Sequence, residues 1–167
     1  MAHERQVAVR PAAVDDAAAI AAIYNQAVVS STATFDLVPV TVESRRQWLA
    51  EHDERHPVLV AERDGLVVAW GSLSSVSDRG AWDATVEIST YVDEGHLGTG
   101  LGKLLGVALI DAAGEAGHHV IMSRVCADNE ASIRLAGSLG FTPAGVLHEV
   151  GRKFDRWLDV VILERRV

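Results

Sequence analysis

Along this chain, short runs in which apolar and polar residues alternate with period two trade places with longer stretches of helical period. The run QVAVRPA (Gln6 to Ala12) alternates until Pro11 cuts it, and predicts a first strand. From Asp15 to Ser30, the Ala-rich DDAAAIAAIYNQAVVS puts Ile20, Ile23, Tyr24 and Ala27 on one helical stripe, with two aspartates suited to its N-terminus. After the connection STATFDLVPV, Thr41 can cap a second helix reaching about Arg55, in which Trp48 and Leu49 are apolar and the rest mostly charged. The runs PVLVAER and LVVAWGSLSSV flank Asp64-Gly65, a dipeptide that tolerates the positive φ angles of a type I′ turn, and predict a hairpin.

A polar loop, SDRGAWD, leads into ATVEISTYV, a further alternating strand, and then into DEGHLGTGLGKLL (Asp93 to Leu105). A helix is expected from Gly100 to about Ala116, with Gly117 as its C′ residue. HVIMSRV reads as a strand, and DNEASIRLAGSLG as a helix capped by Asp128 or Asn129 and stopped at Gly140. FTPAGVLHEV and FDRWLDVVILERR supply two last strands. The order β-α-α-β-β-β-α-β-α-β-β predicts an α/β protein of one domain spanning residues 1–167.

Composition narrows the function classes. A net charge of −8 argues against a general nucleic-acid binder, whose surface is basic. No apolar run reaches the length of a membrane span. The opening MAHERQ carries charges in place of an apolar signal core, so no secretory signal is expected. Cys126 is the only cysteine, which rules out an internal disulfide. Together these predict a cytoplasmic protein.

The glycine-rich stretch fits neither of two familiar phosphate motifs. Counting back from Gly102-Lys103, Leu97 occupies the first Gly of a Walker loop and Leu104 its hydroxyl position. A dinucleotide fingerprint begun at Gly98 meets Lys103, and one begun at Gly100 meets Leu105. What remains is strand, glycine turn and helix start, where unpaired N–H groups and the helix dipole can hold a pyrophosphate. From spacing alone, a flexible turn without chemical role fits equally well, and Lys103 either adds charge there or lies in solvent.

YVDEGHLGTGLGKLLGVALID resembles the acyl-CoA-binding motif of the GNAT superfamily of N-acetyltransferases, [QR]-x-x-G-x-[GA] after a strand. IYNQAVVSSTATFD, RGAWDATVEISTYV, DNEASIRLAGSLGF and VGRKFDRWLDVVIL, in this order, resemble its phosphinothricin and methionine sulfoximine acetyltransferase branch over nearly the whole chain. The resemblance implies a mixed, strongly twisted central sheet flanked by helices, splayed beside the strand before the glycine loop, with acetyl-CoA in the splay as acetyl donor. It implies that the backbone of Thr90, Tyr91 and Val92 aligns the pantetheine arm. Leu97, Gly98, Thr99, Gly100, Leu101 and Gly102 would wrap the pyrophosphate, with Lys103 beside it. Asn129 would also contact the coenzyme, although as a residue it reads equally as a helix cap. A homodimer is implied by the resemblance alone.

Acetylating an amine requires a proton to leave the ammonium, an oxyanion to be stabilised and a thiolate to depart. A thioester needs no enzyme nucleophile, so Cys126 reads as a buried strand-end thiol. In TVEISTYV, alternation puts Glu87, Ser89 and Tyr91 on one face and Val86, Ile88 and Val92 largely on the other. By pattern, Glu87 is a solvent-facing sheet residue; by resemblance, it is the general base, acting directly or through a water. A backbone N–H near Val92 would donate to the oxyanion. Arg79 matches a substrate-contacting arginine able to fork a carboxylate, and Phe35 and Trp82 would wall the pocket. The matching residues otherwise read as a solvated loop arginine and core packing. Three positions depart from the pattern: Leu97 stands where Gln or Arg is usual, Ala136 where Tyr or His is usual, and Trp82 where a Tyr is common.

The expected function is acetyl-CoA-dependent N-acetylation of a small amino acid analogue, phosphinothricin or methionine sulfoximine. Rival readings are another amine (a protein N-terminus, a polyamine, an aminoglycoside) and a non-catalytic acyl-CoA-binding module. His52 and His56 share a helical spacing but lack a third ligand, and His118-His119 point to opposite faces, so no metal is expected. His148, Arg152, Lys153 and Arg156 could form an active-site rim, a subunit contact or surface charge.

Overall fold

A computed structural model describes residues 7–167. Its main elements are β1 (Val7–Pro11), α1 (Ala17–Ser30), α2 (Val42–Ala50), β2 (Val58–Arg63), β3 (Leu66–Ser75) and β4 (Thr85–Val92). They continue with α3 (Leu101–Glu115), β5 (Val120–Cys126), α4 (Glu130–Ser138), β6 (Thr142–Lys153) and β7 (Arg156–Arg166). This is the order that the patterning predicts. Gln6, expected to open the first strand, and the rest of MAHERQ lie outside the described residues.

All seven strands form one sheet in the order β1-β2-β3-β4-β5-β7-β6. Only β4 and β5 run parallel; the other neighbours are antiparallel. Asp64 and Gly65 take φ of 52° and 79°, the left-handed pair of the expected hairpin.

Three of the departures from the expected boundaries have a visible local cause. The last strand starts at Arg156, not Phe154, because Phe154 and Asp155 (φ 52° and 58°) form a second turn with positive φ. That turn carries no Gly or Asn to announce it. Helix α2 begins at its Thr41 cap, whose hydroxyl accepts from Ser44 N–H at 3.0 Å, but ends at Ala50, short of Arg55. The Asp53 carboxylate accepts from the Arg55 and His56 amides at 3.0 and 2.9 Å, which folds that segment into a turn. Helix α1 begins at Ala17, since Asp16 is drawn back to β1 by a two-pronged bond from Arg10 at 2.8 and 3.0 Å.

The sheet is covered on both faces. Against one face, Leu101, Leu105 and Leu109 of α3 are buried over Val68, Val86 and Ile121. Against the other, Ile20 and Tyr24 of α1 pack on Val58, Val60 and Trp70. Buried side chains of this size stabilise by about 1.5–3 kcal/mol each. Arg45 of α2 is also buried here, its guanidinium 4.2 Å from the Tyr24 ring centroid and 4.7 Å from that of Trp48. The chain's expected mixed, helix-flanked sheet is thus observed, and it sets β4 at the centre.

Gly71 of β3 lies where α3 and β4 both press in. A Cβ there would meet Leu109 Cδ1 and the Ser89 carbonyl, each at 2.8 Å. Ordinarily Ala is favoured over Gly within a strand. Gly71→Ala is expected instead to lower the unfolding free energy by about 1–3 kcal/mol in urea titration, since a backbone carbonyl must move. A gain in stability would contradict this packing.

Candidate active site

β4 and β5 pair over only three residues each, Thr85, Val86 and Glu87 against Val120, Ile121 and Met122. Past that point β4 stays hydrogen-bonded to β3 as far as Val92, and β5 stays with β7 as far as Cys126. The strands therefore part, and the gap is a cavity between Ser89, Thr90 and Tyr91 on one side and Ser123, Arg124 and Cys126 on the other. It opens into a cleft of about 490 Å³, with Thr90, Tyr91 and Asn129 lining both. Val92, Leu97, Gly98, Gly100, Gly102 and Lys103 line the cleft, as do Gln26 and Ser30 of α1. Thr99 and Leu101, expected with them, do not. The Thr99 hydroxyl donates to His96 C=O at 2.6 Å, and the Leu101 side chain is buried among Leu105 and Val68.

The glycine loop is a rigid turn. Gly98 and Gly100 adopt φ of 72° and 83°, which side-chain-bearing residues resist. The first intrahelical bond of α3 runs from Leu104 N–H to Gly100 C=O at 3.0 Å. The amides of Leu101, Gly102 and Lys103 precede it and remain open to an acceptor, at the positive end of the helix dipole. Upstream, Gln26 clamps the loop to α1: its amide donates to Asp93 at 2.8 Å and accepts from Glu94 N–H at 2.9 Å. The bonds from the Gln26 amide and from His96 hold the Asp93 carboxyl below its ordinary range. Asn129 caps α4, accepting from Ser132 N–H at 3.2 Å, and lines the cleft as well.

Glu87 sits at the last paired position of β4, on the face opposite Val86 and Ile88, which are buried. Its carboxylate is gripped by Arg124 of β5, Nε to Oε1 at 2.7 Å and Nη2 to Oε2 at 2.5 Å. Arg124 was not foreseen. The signal was present in the alternation of HVIMSRV, which puts Met122 and Arg124 on one face, but it needed the parallel register of β4 and β5 to aim Arg124 at Glu87. Tyr91, on the same face of β4, is instead packed at 5.0 Å from the Tyr24 ring and 4.9 Å from that of Trp70, and burial pushes its hydroxyl pKa up.

Phe35, Arg79, Trp82 and Glu87 line neither the cavity nor the cleft. Arg79 and Trp82 are exposed on the loop from β3 to β4. Phe35 lies on the loop after α1, half out of solvent, against Gly151 of β6, where any Cβ would overlap its ring. The structure thus brings Glu87 to Arg124 and leaves the other three on two exposed loops, Phe35 after α1 and Arg79 with Trp82 between β3 and β4. Ala136 is buried and lines the cavity. Burial pushes the Cys126 thiol pKa up, as befits an inert strand-end cysteine.

The C-terminal cluster is divided. Lys153 is only 4% exposed, and its ammonium donates to the carbonyls of Thr34 at 2.9 Å and Ala27 at 3.4 Å. Arg156 pairs with Asp128, which also accepts from the Thr32 hydroxyl at 2.6 Å. These bonds tie the β6–β7 hairpin to the loop after α1 and to the start of α4. They, with the Cys126 thiol, hold the Asp128 pKa down to about 2. Among the described residues no group of His, Cys, Asp or Glu is placed to hold a metal.

The Acetyltransferase (GNAT) domain model matches residues 9–162. The L-methionine sulfoximine/L-methionine sulfone acetyltransferase of Salmonella typhimurium is 40% identical over 89% of this chain and 88% of its own. The phosphinothricin N-acetyltransferase of Streptomyces coelicolor is 35% identical over 96% of each. Among solved structures, yncA of Salmonella typhimurium, with its cofactor acetyl-CoA, superposes at a TM-score of 0.92 with 38% identity, over 96% of this chain and 93% of that one.

The Asp128 node has a measurable acid signature. Its folded pKa of about 2 lies below the ordinary 3.8, so the stabilisation is complete above about pH 4 and drains away as pH falls towards 2. In urea titrations stepped from pH 5 to 2, Asp128→Asn should be less stable than the native chain at pH 5 and lose less on acidification. Parallel pH dependence in the two proteins would contradict it.

Proposed function

The chain belongs to the GNAT acetyltransferase family, and from that premise we propose that it is an N-acetyltransferase moving acetyl from acetyl-CoA to the α-amine of a small amino acid analogue. Methionine sulfoximine and phosphinothricin are the substrate type. The observation that carries the reading is the parted β4 edge, running from Glu87 through Thr90–Val92 into a glycine turn at the head of α3.

An extended amide-bearing arm can join the open edge of β4 as an added strand. The turn from Leu97 to Gly102 then offers backbone N–H groups to a pyrophosphate, with Lys103 and Asn129 beside it. Leu97 is 64% exposed and adds no polar side chain, so the backbone carries that contact. Thr99 closes the turn and Leu101 anchors it, supporting the site from beneath.

Glu87, next to the thioester end of the gap, takes the proton from the substrate ammonium. The freed amine attacks the carbonyl carbon, an N–C bond forms, and a backbone N–H near Val92 steadies the oxyanion. Collapse breaks the C–S bond, the attacking nitrogen gives up its second proton to the departing thiolate or to water, and coenzyme A is released. Ala136 supplies no acid, and with a thiol pKa near 8.5 the thiolate can leave unassisted. Arg79 takes the substrate carboxylate, with Phe35 and Trp82 as walls. Direct transfer requires no enzyme nucleophile and no metal.

We read residues 1–167 as one acetyltransferase domain, cytoplasmic, where acetyl-CoA is to hand and a free thiol persists. We read the active unit as a homodimer. Supporting this, β6 is an edge strand whose Val146, Leu147 and Val150 are exposed, with Trp157 of β7 nearby. Among the described residues no helix is long and apolar enough to cross a membrane.

Coenzyme A release, followed by thiol colorimetry with methionine sulfoximine as acceptor, should be strictly amine-dependent. Glu87→Gln should lower kcat by about 10²–10⁴-fold while acetyl-CoA binding, read by calorimetry, persists. No release with intact binding would favour a different amine or a binding module. In sedimentation equilibrium the particle should weigh twice the 17.9 kDa chain; a monomer mass would contradict the dimer.

A further inference from the structure

The Glu87 side chain has three rotatable bonds and stands where its strand loses a neighbour, so nothing in the backbone beyond it limits where the carboxylate points. Arg124 supplies that limit. It lies two residues past Met122, the partner of Glu87, and reaches back across the mouth of the split with two convergent bonds of 2.7 and 2.5 Å. A fork of this kind fixes both the position and the plane of a carboxylate. It uses one lone-pair site on each oxygen, and each oxygen keeps another for a substrate proton. The Glu87 side chain is 18% exposed and that of Arg124 is 56% exposed, so the pair stands open to an arriving ligand while the carboxylate itself is sheltered. β5 is held on its far side by β7, with Arg124 opposite Ile162, so the guanidinium is mounted on paired strand and not on a loop.

We propose that Arg124 is the positioning residue for Glu87, holding the carboxylate plane at the mouth of the β4–β5 split so that its open lone pairs meet the substrate amine. This rests on the reading of Glu87 as the base. It separates Arg124 from Arg79: Arg79 holds substrate, whereas Arg124 holds the group that acts on it. Lysine could not replace it fully, because an ammonium is a point donor without the planar fork.

The test is steady-state kinetics on the intact protein carrying Arg124→Gln, Arg124→Lys, Glu87→Gln and the Arg124→Gln/Glu87→Gln double substitution. Arg124→Gln should lower kcat by about 10–100-fold, the scale of a misplaced reacting group. The KM for acetyl-CoA should change far less than kcat, since the Thr90–Val92 edge and the glycine turn are left intact. Arg124→Lys should fall between. In the Glu87→Gln background, Arg124→Gln should cost nothing further, because a residue acting through Glu87 is silent once Glu87 is gone. If Glu87→Gln is crippled but Arg124→Gln turns over like the native chain, the proposal falls and the base assignment stands. An equal loss from Arg124→Gln in both backgrounds would also overturn it. A fully active Glu87→Gln would remove the base assignment itself and the proposal with it. Arg124→Lys keeps the charge and most of the volume, so it carries the test should Arg124→Gln fold poorly.

Discussion

Backbone pairing between β4 and β5 stops at Glu87 and Met122, and the site depends on that stop. A parallel pair interrupted in mid-sheet leaves amides and carbonyls along two edges without strand partners, a costly state for groups out of contact with water. Continued pairing is denied because each strand is already committed elsewhere, β4 to β3 and β5 to β7. The right-handed twist of each half-sheet carries the edges further apart. An open strand edge inside a protein is a binding surface with a built-in register, suited to an extended amide-bearing ligand. Glu87 stands at the last pair before the split, so the proposed base lies where the open edge of β4 begins.

Keeping the gap open requires its surroundings to be stiff. Gln26 locks the approach to the glycine loop onto α1 by bonds in both directions, and Asp128 joins α4 to the loop after α1 and to the β6–β7 hairpin. The buried Lys153 ammonium is the least expected of these ties. Its acceptors are carbonyls, one at the C-terminal end of α1, where the helix dipole favours a cation. Burial nevertheless lowers its pKa, so the charge is held at a cost that the hairpin's anchorage must offset. Gly151 completes the arrangement by leaving room for the Phe35 ring. Three links from one hairpin thus converge on residues 32–35, the wall of the proposed amine pocket.

Local rules carried most of the fold. The Asp64-Gly65 turn, the Thr41 and Asn129 caps, the Gly117 and Gly140 stops and the alternation around Glu87 are short-range signals, and each appears where the pattern put it. What failed to show locally was set by tertiary structure. Phe154-Asp155 turns without Gly or Asn because flanking strands enforce it. In VESRRQWLA the arginines look like a solvated face, yet Arg45 lies under three aromatic rings contributed by α1, α2 and β3. The pattern around Lys153 leaves rim, subunit contact and surface charge open for the same reason. Glu87 was legible as a candidate, but its partner Arg124 lay 37 residues away on a strand whose parallel register no local pattern encodes.

If the parted edge of β4 receives the coenzyme, backbone hydrogen–deuterium exchange with and without acetyl-CoA will show it. Exchange should slow in residues 88–103, covering the open stretch of β4 and the glycine turn, with the distant β1–β2 pair unchanged. Protection centred on another surface, or none in 88–103 under saturating acetyl-CoA, would contradict it.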